Sequence, residues 1–218
     1  MSGGATALEL KRPDGETAKF VLRRHRRVAA EFRLLELLCE TGVPAPASCL
    51  AGADYIVTAF VEGEPGTEAG NSVQLATTLA ALHRTSWIGV DLSFLPRLSN
   101  RNDAVLLHGD FWPGNTLWRD GELVALIDWE DAAVGDPLAD LANGRLEVLF
   151  AFGEAALDAF TDAYRAAMPK LDYADLPEWD LFAVRRLVPE MPKWGLDPKQ
   201  EEALRRRADW FAARATSP

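Results

Sequence analysis

The amino-acid sequence predicts an α+β fold in two lobes, a small strand-rich N-terminal lobe followed by a mainly helical C-terminal lobe. Apolar and polar residues alternate at the start of the chain, as they do in half-buried strands. The turn-forming segment 62–66 (EGEPG) ends this pattern, and beyond it apolar residues recur mostly at helical spacing. We therefore expect an N-terminal lobe over residues 1–62, a C-terminal lobe over residues 63–218, and a small-molecule site in the cleft between them.

The N-terminal lobe is expected to begin with a β-hairpin. Residues 7–11 and 19–24 form its strands, and residues 12–16 (RPDGE) have the composition of a turn. A helix of about ten residues follows. Its apolar face is formed by Phe32, Leu35 and Leu38. Residues 55–60 (YIVTAF) then predict a further strand.

The C-terminal lobe is expected to contain four helices and a small hairpin. Leu75, Leu79 and Leu82 mark the first helix, and residues 104–107 form a short strand before the hairpin. After the hairpin the chain reads as helical. The helical signals are Leu157, Phe160, Tyr164 and Met168 on one face, the run 179–188, and Asp197 to Gln200 as the N-terminal cap of a last helix that carries Leu204, Ala208 and Phe211.

The hairpin joins residues 115–118 to residues 123–127 through a two-residue turn, Asp120-Gly121. If Arg119 pairs with Glu122, counting outward puts Asn115 opposite Leu126 and Asp128 on the same face. Asn115 and Asp128 would then be diagonal neighbours about 7–8 Å apart at the backbone. Two oxygen-bearing side chains at this separation can converge on one Mg²⁺ ion.

Composition excludes several classes of function. The formal net charge of −10 argues against a nucleic-acid partner, because phosphate binding needs a Lys/Arg surface. No apolar run is long enough for a membrane span, and the start MSGG does not resemble a signal sequence, so we expect a cytoplasmic protein that does not bind membranes. Residues 101–141 contain nine acidic residues but only two arginines, which predicts either a solvated acidic face or a cleft for divalent cations or a cationic substrate.

The residues that suggest chemistry are His108-Gly109-Asp110, Asn115 and Asp128. Asp110 follows a strand and precedes the hairpin, where its carboxylate could accept a proton from a substrate hydroxyl. Phosphoryl transfer needs such a carboxylate together with Mg²⁺ held by an Asp and an Asn. Each residue alone has a structural alternative, since aspartates often cap loops and turns. The combination is more specific than its parts.

The run 107–143, LHGDFWPGNTLWRDGELVALIDWEDAAVGDPLADLAN, resembles the aminoglycoside phosphotransferase family. That family has a fold like that of the protein kinases and also includes choline, homoserine and sugar kinases. The resemblance implies that Asp110 is the catalytic base, that Asn115 and Asp128 hold Mg²⁺, and that His108 braces the catalytic loop. Asp136 and Asp140 match the trailing motif, and we interpret both as structural, as helix caps or supports of the loop.

A weaker likeness extends over the N-terminal lobe. It implies that Arg23 contacts the α- and β-phosphates of ATP or GTP, with Glu31 as its partner, although Arg23 could equally be a solvated strand residue. Ala59 and Val61 fall where the family's interlobe hinge would bond the nucleotide base through its backbone. Gly3-Gly4 would lie near the phosphates in a phosphate-covering segment that looks shorter than in the family.

Three hypotheses follow from the sequence. The first is an active kinase that phosphorylates a hydroxyl of a small molecule. The second is a nucleotide-binding module with little turnover, suggested by the short N-terminal lobe and by arginine where many kinases have lysine. The third is a metal-dependent hydrolase with His108 and Asp110 as ligands. The acidic run suits a cationic acceptor, but acceptor identity and oligomeric state stay open.

Overall fold

A computed structural model describes residues 5–11, 15–69, 71–99 and 101–216, and its N-terminal part is a four-stranded antiparallel sheet. The strands lie in the order β1-β2-β4-β3. They are β1 (Thr6–Lys11), β2 (Thr17–Arg24), β3 (Ser48–Ala51) and β4 (Tyr55–Ala59). The predicted strands are thus present, and β3 is an addition. Most of the predicted turn 12–16 and the Gly3-Gly4 pair lie outside the described residues.

Helix α1 (Val28–Leu38) packs against this sheet and contacts β3 and β4. Its buried side chains recur at helical spacing, which is why this stretch folds as an amphipathic helix. Leu35 and Leu38 are buried as predicted, whereas Phe32 is only half-buried and Leu34 takes the inner position. The one charged residue on the buried face of α1 is Glu31, which is 2% exposed and therefore needs a partner.

The C-terminal part combines short strands with helices. The strands are β5 (Glu64–Pro65), β6 (Val105–Leu107), β7 (Thr116–Arg119), β8 (Glu122–Leu126) and β9 (Ala133–Gly135). The helices are α2 (Gly66–Ala69), α3 (Ser72–Arg84), α4 (Pro137–Phe152), α5 (Glu154–Ala167), α6 (Leu176–Leu187) and α7 (Pro198–Ala215). Within the described residues, 3₁₀ turns lie between these elements at Pro113–Asn115, Trp129–Asp131 and Val188–Lys193.

Helices α3, α4 and α7 begin at residues whose side chains cap them. Asn71 and Asp136 accept backbone N–H groups at the starts of α3 and α4, and Asp197 forms a capping box with Gln200 at the start of α7. Helix α4 is buried on nearly all sides and packs against α5, α6 and α7, so it is the centre of the helical part. Leu75, Leu79 and Leu82 are fully buried, as the sequence predicts. No helix within the described ranges combines the length and apolar character needed to cross a membrane.

The register predicted for the hairpin is wrong by one residue. Arg119 pairs with Glu122 as expected, but a bulge between Leu117 and Trp118 shifts the pairing beyond it. Asn115 lies in the 3₁₀ turn before β7, and its carbonyl oxygen accepts the amide of Ile127 at 2.9 Å, so it lies opposite Ile127 and not Leu126. Strand β8 ends at Leu126, and Asp128 beyond it has a left-handed backbone with φ 65°. The predicted arrangement, with Asn115 and Asp128 as diagonal neighbours on a regular antiparallel ladder, is therefore not found.

Besides β3, the short strands β5 and β9 were absent from the prediction. Strand β9 pairs with β6, which places the segment after Asp128 beside the strand that leads to Asp110. Strand β5 pairs with β7 and so belongs to the hairpin of the C-terminal part. The boundary after residue 62 stays a prediction.

Candidate active site

The loop that carries Asp110 is held by a buried carboxylate of helix α4. Asp140 is 2% exposed and accepts the backbone amides of His108 at 2.6 Å and Gly109 at 3.0 Å. Burial acts to raise its pKa, but the hydrogen bond and charge of His83 and then those of His108 outweigh this and hold the pKa of Asp140 below its ordinary value. The carboxylate therefore stays ionised and fixes the point where β6 ends and the loop begins.

At position 109 of this loop, any residue other than glycine would strain the backbone. Its φ is +84°, which L-residues rarely adopt. A Cβ atom there would also collide with the backbone carbonyl of Asp131. The loop and the 3₁₀ turn after Asp128 are thus in direct contact, and glycine is what allows it.

His108 lies fully buried beneath the loop. Its Nε2 donates to the carbonyl oxygen of Ile127 at 3.0 Å, and its ring packs on Trp129 at 4.5 Å between centroids. Burial lowers the pKa of His108, so the imidazole is neutral at neutral pH. The ring ties the Asp110 loop to the residue that precedes Asp128, which is the bracing position that the sequence suggested.

The carboxylate of Asp110 contacts two polar side chains. Asn115 donates its Nδ2 to Asp110 Oδ2 at 3.1 Å and to the Asp110 carbonyl at 2.9 Å. Arg186, from the last turn of α6, places Nη2 at 3.6 Å from Asp110 Oδ1. Burial raises the pKa of Asp110, while the positive charge of Arg186 opposes this shift. A carboxylate with a raised pKa is a better proton acceptor than a free aspartate.

Arg23 joins the two parts of the molecule. Its guanidinium forms ion pairs with Glu31 of α1 and with Asp128, so β2, α1 and the segment after β8 meet at one side chain. The second oxygen of Glu31 contacts His25 Nε2 at 2.6 Å. Burial, followed by the charge of Arg23, lowers the pKa of His25. Arg23 is therefore the cation that compensates the buried Glu31, and the solvated-strand alternative does not describe it.

A cavity of about 320 Å³ opens beside this ion-pair cluster, between the sheet and the hairpin. It lies against the β4 end, the helix α1 and the start of the 3₁₀ turn at Trp129. Its lining includes all the residues predicted to bind nucleotide, namely Arg23, Glu31, Ala59 and Val61, and also Asp128. The structure thus brings these predicted residues together, with Asp110 and Asn115 next to one another on the adjoining loop. Their roles stay predictions.

The oxygens of Asn115 and Asp128 suit a divalent cation. Asn115 uses its nitrogen toward Asp110, and within the described residues its Oδ1 accepts no hydrogen bond. Asp128 binds Arg23 through Oδ1, and its Oδ2 likewise has no protein partner in the described part of the chain. Carboxylate and amide oxygens are the ligands that Mg²⁺ prefers, usually with phosphate oxygens and water completing its shell. The donor set fits the ion.

The sequence analysis did not predict three residues that lie near Asp110, namely Asn143, Glu147 and Arg186. Asn143 of α4 donates to the carbonyl of Phe111 at 2.9 Å and accepts a hydrogen bond from Arg186. Glu147 lies one turn further along α4, where the charges of Asp110 and Arg186 act on it. Asn143 is the last residue of the run 107–143 that resembles the family, so the motif pointed to its region. No local sequence pattern predicts that α6 brings Arg186 close to Asp110.

Comparison with known proteins now adds to this geometry. The profile of the phosphotransferase enzyme family (APH) matches residues 87–182, which include Asp110, Asn115 and Asp128. The resemblance to the aminoglycoside phosphotransferase family is confirmed. Acyl-CoA dehydrogenase family member 11 of Pongo abelii is 23% identical over 199 residues, which cover 65% of this chain and 25% of that protein. The chain thus spans about a quarter of the length of this curated relative.

Solved structures of this family share the fold. The macrolide 2'-phosphotransferase MphH of Brachybacterium faecium superposes with a TM-score of 0.64 at 19% identity, covering 97% of this chain and 88% of that one. The aminoglycoside phosphotransferase APH(2'')-IIa, solved as a ternary complex with streptomycin and ATP, gives 0.61 at 17% identity, covering 87% and 86%. The predicted two-lobed α+β, protein-kinase-like fold is confirmed.

Proposed function

We propose that this protein is a phosphotransferase that moves the γ-phosphoryl group of ATP to a hydroxyl group of a small molecule. The observation that carries the proposal is the interlobe cavity. Arg23 and Asp128 are 105 residues apart in the chain, yet they form an ion pair on the wall of one cavity that also contains Glu31, Ala59 and Val61. A nucleotide bound between two lobes needs a cation, a metal-binding carboxylate and backbone groups around one space.

The neighbour of the same fold that was solved with ATP supports ATP as the donor, and GTP is the alternative. Arg23 can turn its guanidinium to the α- and β-phosphates while Glu31 holds it from behind. Ala59 is the last residue of β4 and Val61 lies two residues beyond it, and both line the cavity, where their backbone groups can face the base. Mg²⁺, held by Asn115 and Asp128, would neutralise charge on the phosphates.

In the reaction the acceptor oxygen forms a bond to the γ-phosphorus, and the bond from that phosphorus to the bridging oxygen breaks. The bridging oxygen leaves with the electron pair as part of ADP. The hydroxyl proton passes to Asp110, which Asn115 holds in position. Burial raises the pKa of Asp110 and so strengthens it as a proton acceptor.

The test pairs turnover with binding in Asp110→Asn. This change keeps the shape of the side chain but removes its charge and basicity, so acceptor-stimulated ADP release should fall by roughly 10²- to 10⁴-fold. Calorimetric affinity for ATP with Mg²⁺ should change little, because Asp110 is not assigned to the ion. Asp103→Asn is the matched control, since Asp103 is exposed and lines neither the cavity beside Arg23 nor the one beside Asp110.

The outcomes separate the three hypotheses. Unchanged turnover in Asp110→Asn contradicts its role as base. ATP binding without turnover for any hydroxyl acceptor favours the nucleotide-binding module. The Arg23–Asp128 ion pair also supports that module, because it occupies a predicted metal ligand. Loss of metal affinity in Asp110→Asn would favour the hydrolase. The hydrolase is disfavoured by His108, whose Nε2 donates to Ile127 and whose Nδ1 faces the amide of Asp110 at 3.4 Å.

A further inference from the structure

A second and larger cavity, of about 650 Å³, lies between α4, α6 and the loop that carries Asp110. Gly109, Asn143 and Arg186 are part of its lining. Because Arg186 Nη2 is 3.6 Å from Asp110 Oδ1, this cavity reaches to within one side chain of the proposed base. If the proposed function holds, the acceptor lies here with its hydroxyl toward Asp110.

The carboxylates in the wall of this cavity are mostly engaged by the protein itself. Asp136 accepts the amides of Arg101, Asn102 and Leu138 at 3.0–3.1 Å. Asp140 holds the loop amides, and Asp175 forms an ion pair with Arg101. Asp136 and Asp140 each use both carboxylate oxygens, and the charge of Asp175 is already paired with Arg101. A polycationic acceptor needs carboxylates whose charge is free. The acidic run that suggested a cationic acceptor is therefore used largely for structure.

Glu178 is the remaining carboxylate of the wall, and it lies far from the reaction centre. It sits in the first turn of α6, seven residues before Arg185. At 1.5 Å per residue, the two are separated by about 10 Å along the helix axis. The end of the cavity next to Asp110 is the basic end.

Two arginines form that basic end. Arg185 is exposed, lines the cavity, and has no hydrogen bond or ion pair within the described residues. Arg186 uses Nη2 toward Asn143 and Asp110, so its Nε and Nη1 donors are free of partners in the described part of the chain. The nearby Glu147 does not cancel this charge, because burial raises the pKa of Glu147 to about 8. A guanidinium with two free donors matches a carboxylate or phosphate oxygen pair.

The lining of the cavity also includes apolar side chains, two of them on α6 itself. Trp179 and Phe182 pack edge to face with 5.7 Å between ring centroids, and Phe182 keeps 50% of its surface exposed. Leu98 adds a third apolar side chain that is 45% exposed. Exposed apolar side chains gathered around one cavity indicate contact with an apolar ligand surface.

We infer that the acceptor is a hydroxylated organic anion with an apolar body, and not a polycation. Its apolar part lies on Leu98, Trp179 and Phe182, and its anionic group binds Arg185 and Arg186. Its hydroxyl then points toward Asp110, which lies beside Arg186. The inference rests on the proposed function for the hydroxyl, but the charge preference of the cavity is independent of turnover.

The experiment compares probes that share one apolar body and carry no hydroxyl. Phenylbutanoate, phenylbutyl phosphate, phenylbutanamide and phenylbutylamine supply two anions, a neutral molecule and a cation. Calorimetry should show that at least one anion binds about tenfold or more tightly than the amine, a factor equivalent to about 1.4 kcal/mol. The ratio between the two anions decides between a carboxylate and a phosphate ester.

Variants assign the preference to the cavity. Arg185→Gln and Arg186→Gln should each reduce the anion-to-amine ratio, and Arg186→Lys should keep part of it. Phe182→Ala should weaken all probes alike. Arg206→Gln removes the same charge at an exposed site on α7, where Arg206 pairs with Glu202, and should leave the ratio unchanged.

Equal or tighter binding of the amine overturns the inference, and so does an anion preference that survives in both glutamine variants. Absence of binding for all four probes at millimolar concentration overturns it as well. Failure of the proposed function looks different, because it appears as absent ATP binding or absent ADP release on the same protein. Efficient phosphorylation of an aminoglycoside together with amine preference would retain the function and reject the anionic acceptor.

Discussion

Glu147 lies on α4 and is only partly exposed to solvent. Burial first, and then the negative charge of Asp110, raise the pKa of Glu147 to about 8, while Arg186 acts in the opposite direction. In the unfolded chain an ordinary glutamate titrates near 4.5. The folded state therefore binds this proton more tightly than the unfolded state does.

We predict that Glu147→Gln removes a pH-dependent loss of stability. A raised folded-state pKa contributes stability that is complete below about pH 4.5 and is lost as pH rises toward about 8. Because the side chain keeps some solvent contact, we expect a gain at pH 8 of about 1–2 kcal/mol, or about 2–8 °C in Tm. Thermal melts of both proteins at pH 5 and pH 8 measure it. An equal difference at both pH values would contradict the assignment.

Arg23 gives a second prediction for a single residue. If its guanidinium contacts the phosphates, Arg23→Ala should raise the KM for ATP about 10- to 100-fold, which matches the roughly 1.5–3 kcal/mol of hydrogen bonds to charged groups. The KM for the acceptor should change little, because the cavity proposed for the acceptor is lined by other residues. Glu31→Gln should have a milder effect of the same kind. A larger change in the acceptor KM than in the ATP KM would show that the lobe assignment is wrong.

Since Arg23→Ala also leaves Glu31 without its ion-pair partner, some of its effect could come from instability. Arg23→Lys separates the two causes. Lysine keeps the charge beside Glu31 but loses the bidentate fork, so this variant should fold normally and show an intermediate KM for ATP.

At the scale of elements, the hairpin shows what sequence could and could not supply. The Asp120-Gly121 turn and the alternation on either side predicted both strands and their pairing at the turn. The bulge between Leu117 and Trp118 was not predictable, because no glycine or other turn residue marks it. Asn115 and Asp128 nevertheless both lie near Asp110, since Asn115 donates to its carboxylate and the charge of Asp128 acts on it. The sequence predicted this proximity from a regular ladder, and the bulge interrupts that ladder.

Helix α4 and strand β6 show a second limit. Asp136 and Asp140 were interpreted as structural from their motif, and the first caps α4 while the second holds the loop amides. Strand β9 has only three residues, too few for an alternating pattern to stand out. Arg186 was missed because its position depends on how α6 packs on α4, which is long-range information. Local signals thus marked the candidate site residues, and tertiary packing supplied their neighbours.

Asp140 supports a prediction at this scale. Asp140→Ala removes the acceptor of two loop amides, each of which costs about 1–3 kcal/mol if left buried without a partner. We expect the free energy of unfolding from urea titration to fall by about 2–5 kcal/mol. Turnover should fall as well, although Asp140 touches neither proposed substrate. Asp162→Ala, at an exposed position of α5, is the control, and equal stability of the two variants would exclude the bracing role.

At the scale of the whole molecule, a few polar contacts join the N-terminal sheet and α1 to the C-terminal part. Arg27 donates to the carbonyl of Ala132 at 2.8 Å, and the amide of Leu126 donates to the carbonyl of Pro44 at 2.8 Å. The Arg23–Asp128 ion pair crosses the same junction. Binding of a ligand in the cavity beside these contacts should therefore stabilise both parts together.

The last prediction follows from two roles of Asp128, which pairs with Arg23 and is also a predicted ligand of Mg²⁺. Mg²⁺ alone must compete with Arg23 for this carboxylate and has no phosphate oxygens to complete its shell, so its effect on Tm should be small. ATP alone leaves phosphate charge facing Asp128 and should also bind weakly. With both ligands present, Asp128 and Asn115 would hold the ion in the proposed assignment, and Arg23 would be free to contact the phosphates. Ligand at 100 times its Kd stabilises the folded state by about 2.7 kcal/mol, which corresponds to a rise in Tm of about 5–11 °C.

Differential scanning fluorimetry with ATP, Mg²⁺ and both measures this synergy directly. The shift with both ligands should exceed the sum of the separate shifts in wild type and in Asp103→Asn, whose exposed carboxylate lies away from the cavity. In Asp128→Ala the excess should vanish, because the ion loses a ligand and Arg23 is already free of its second partner. Additive shifts in wild type would remove Asp128 and Asn115 from the metal assignment. An excess that survives in Asp128→Ala would place the ion on other residues of the cavity.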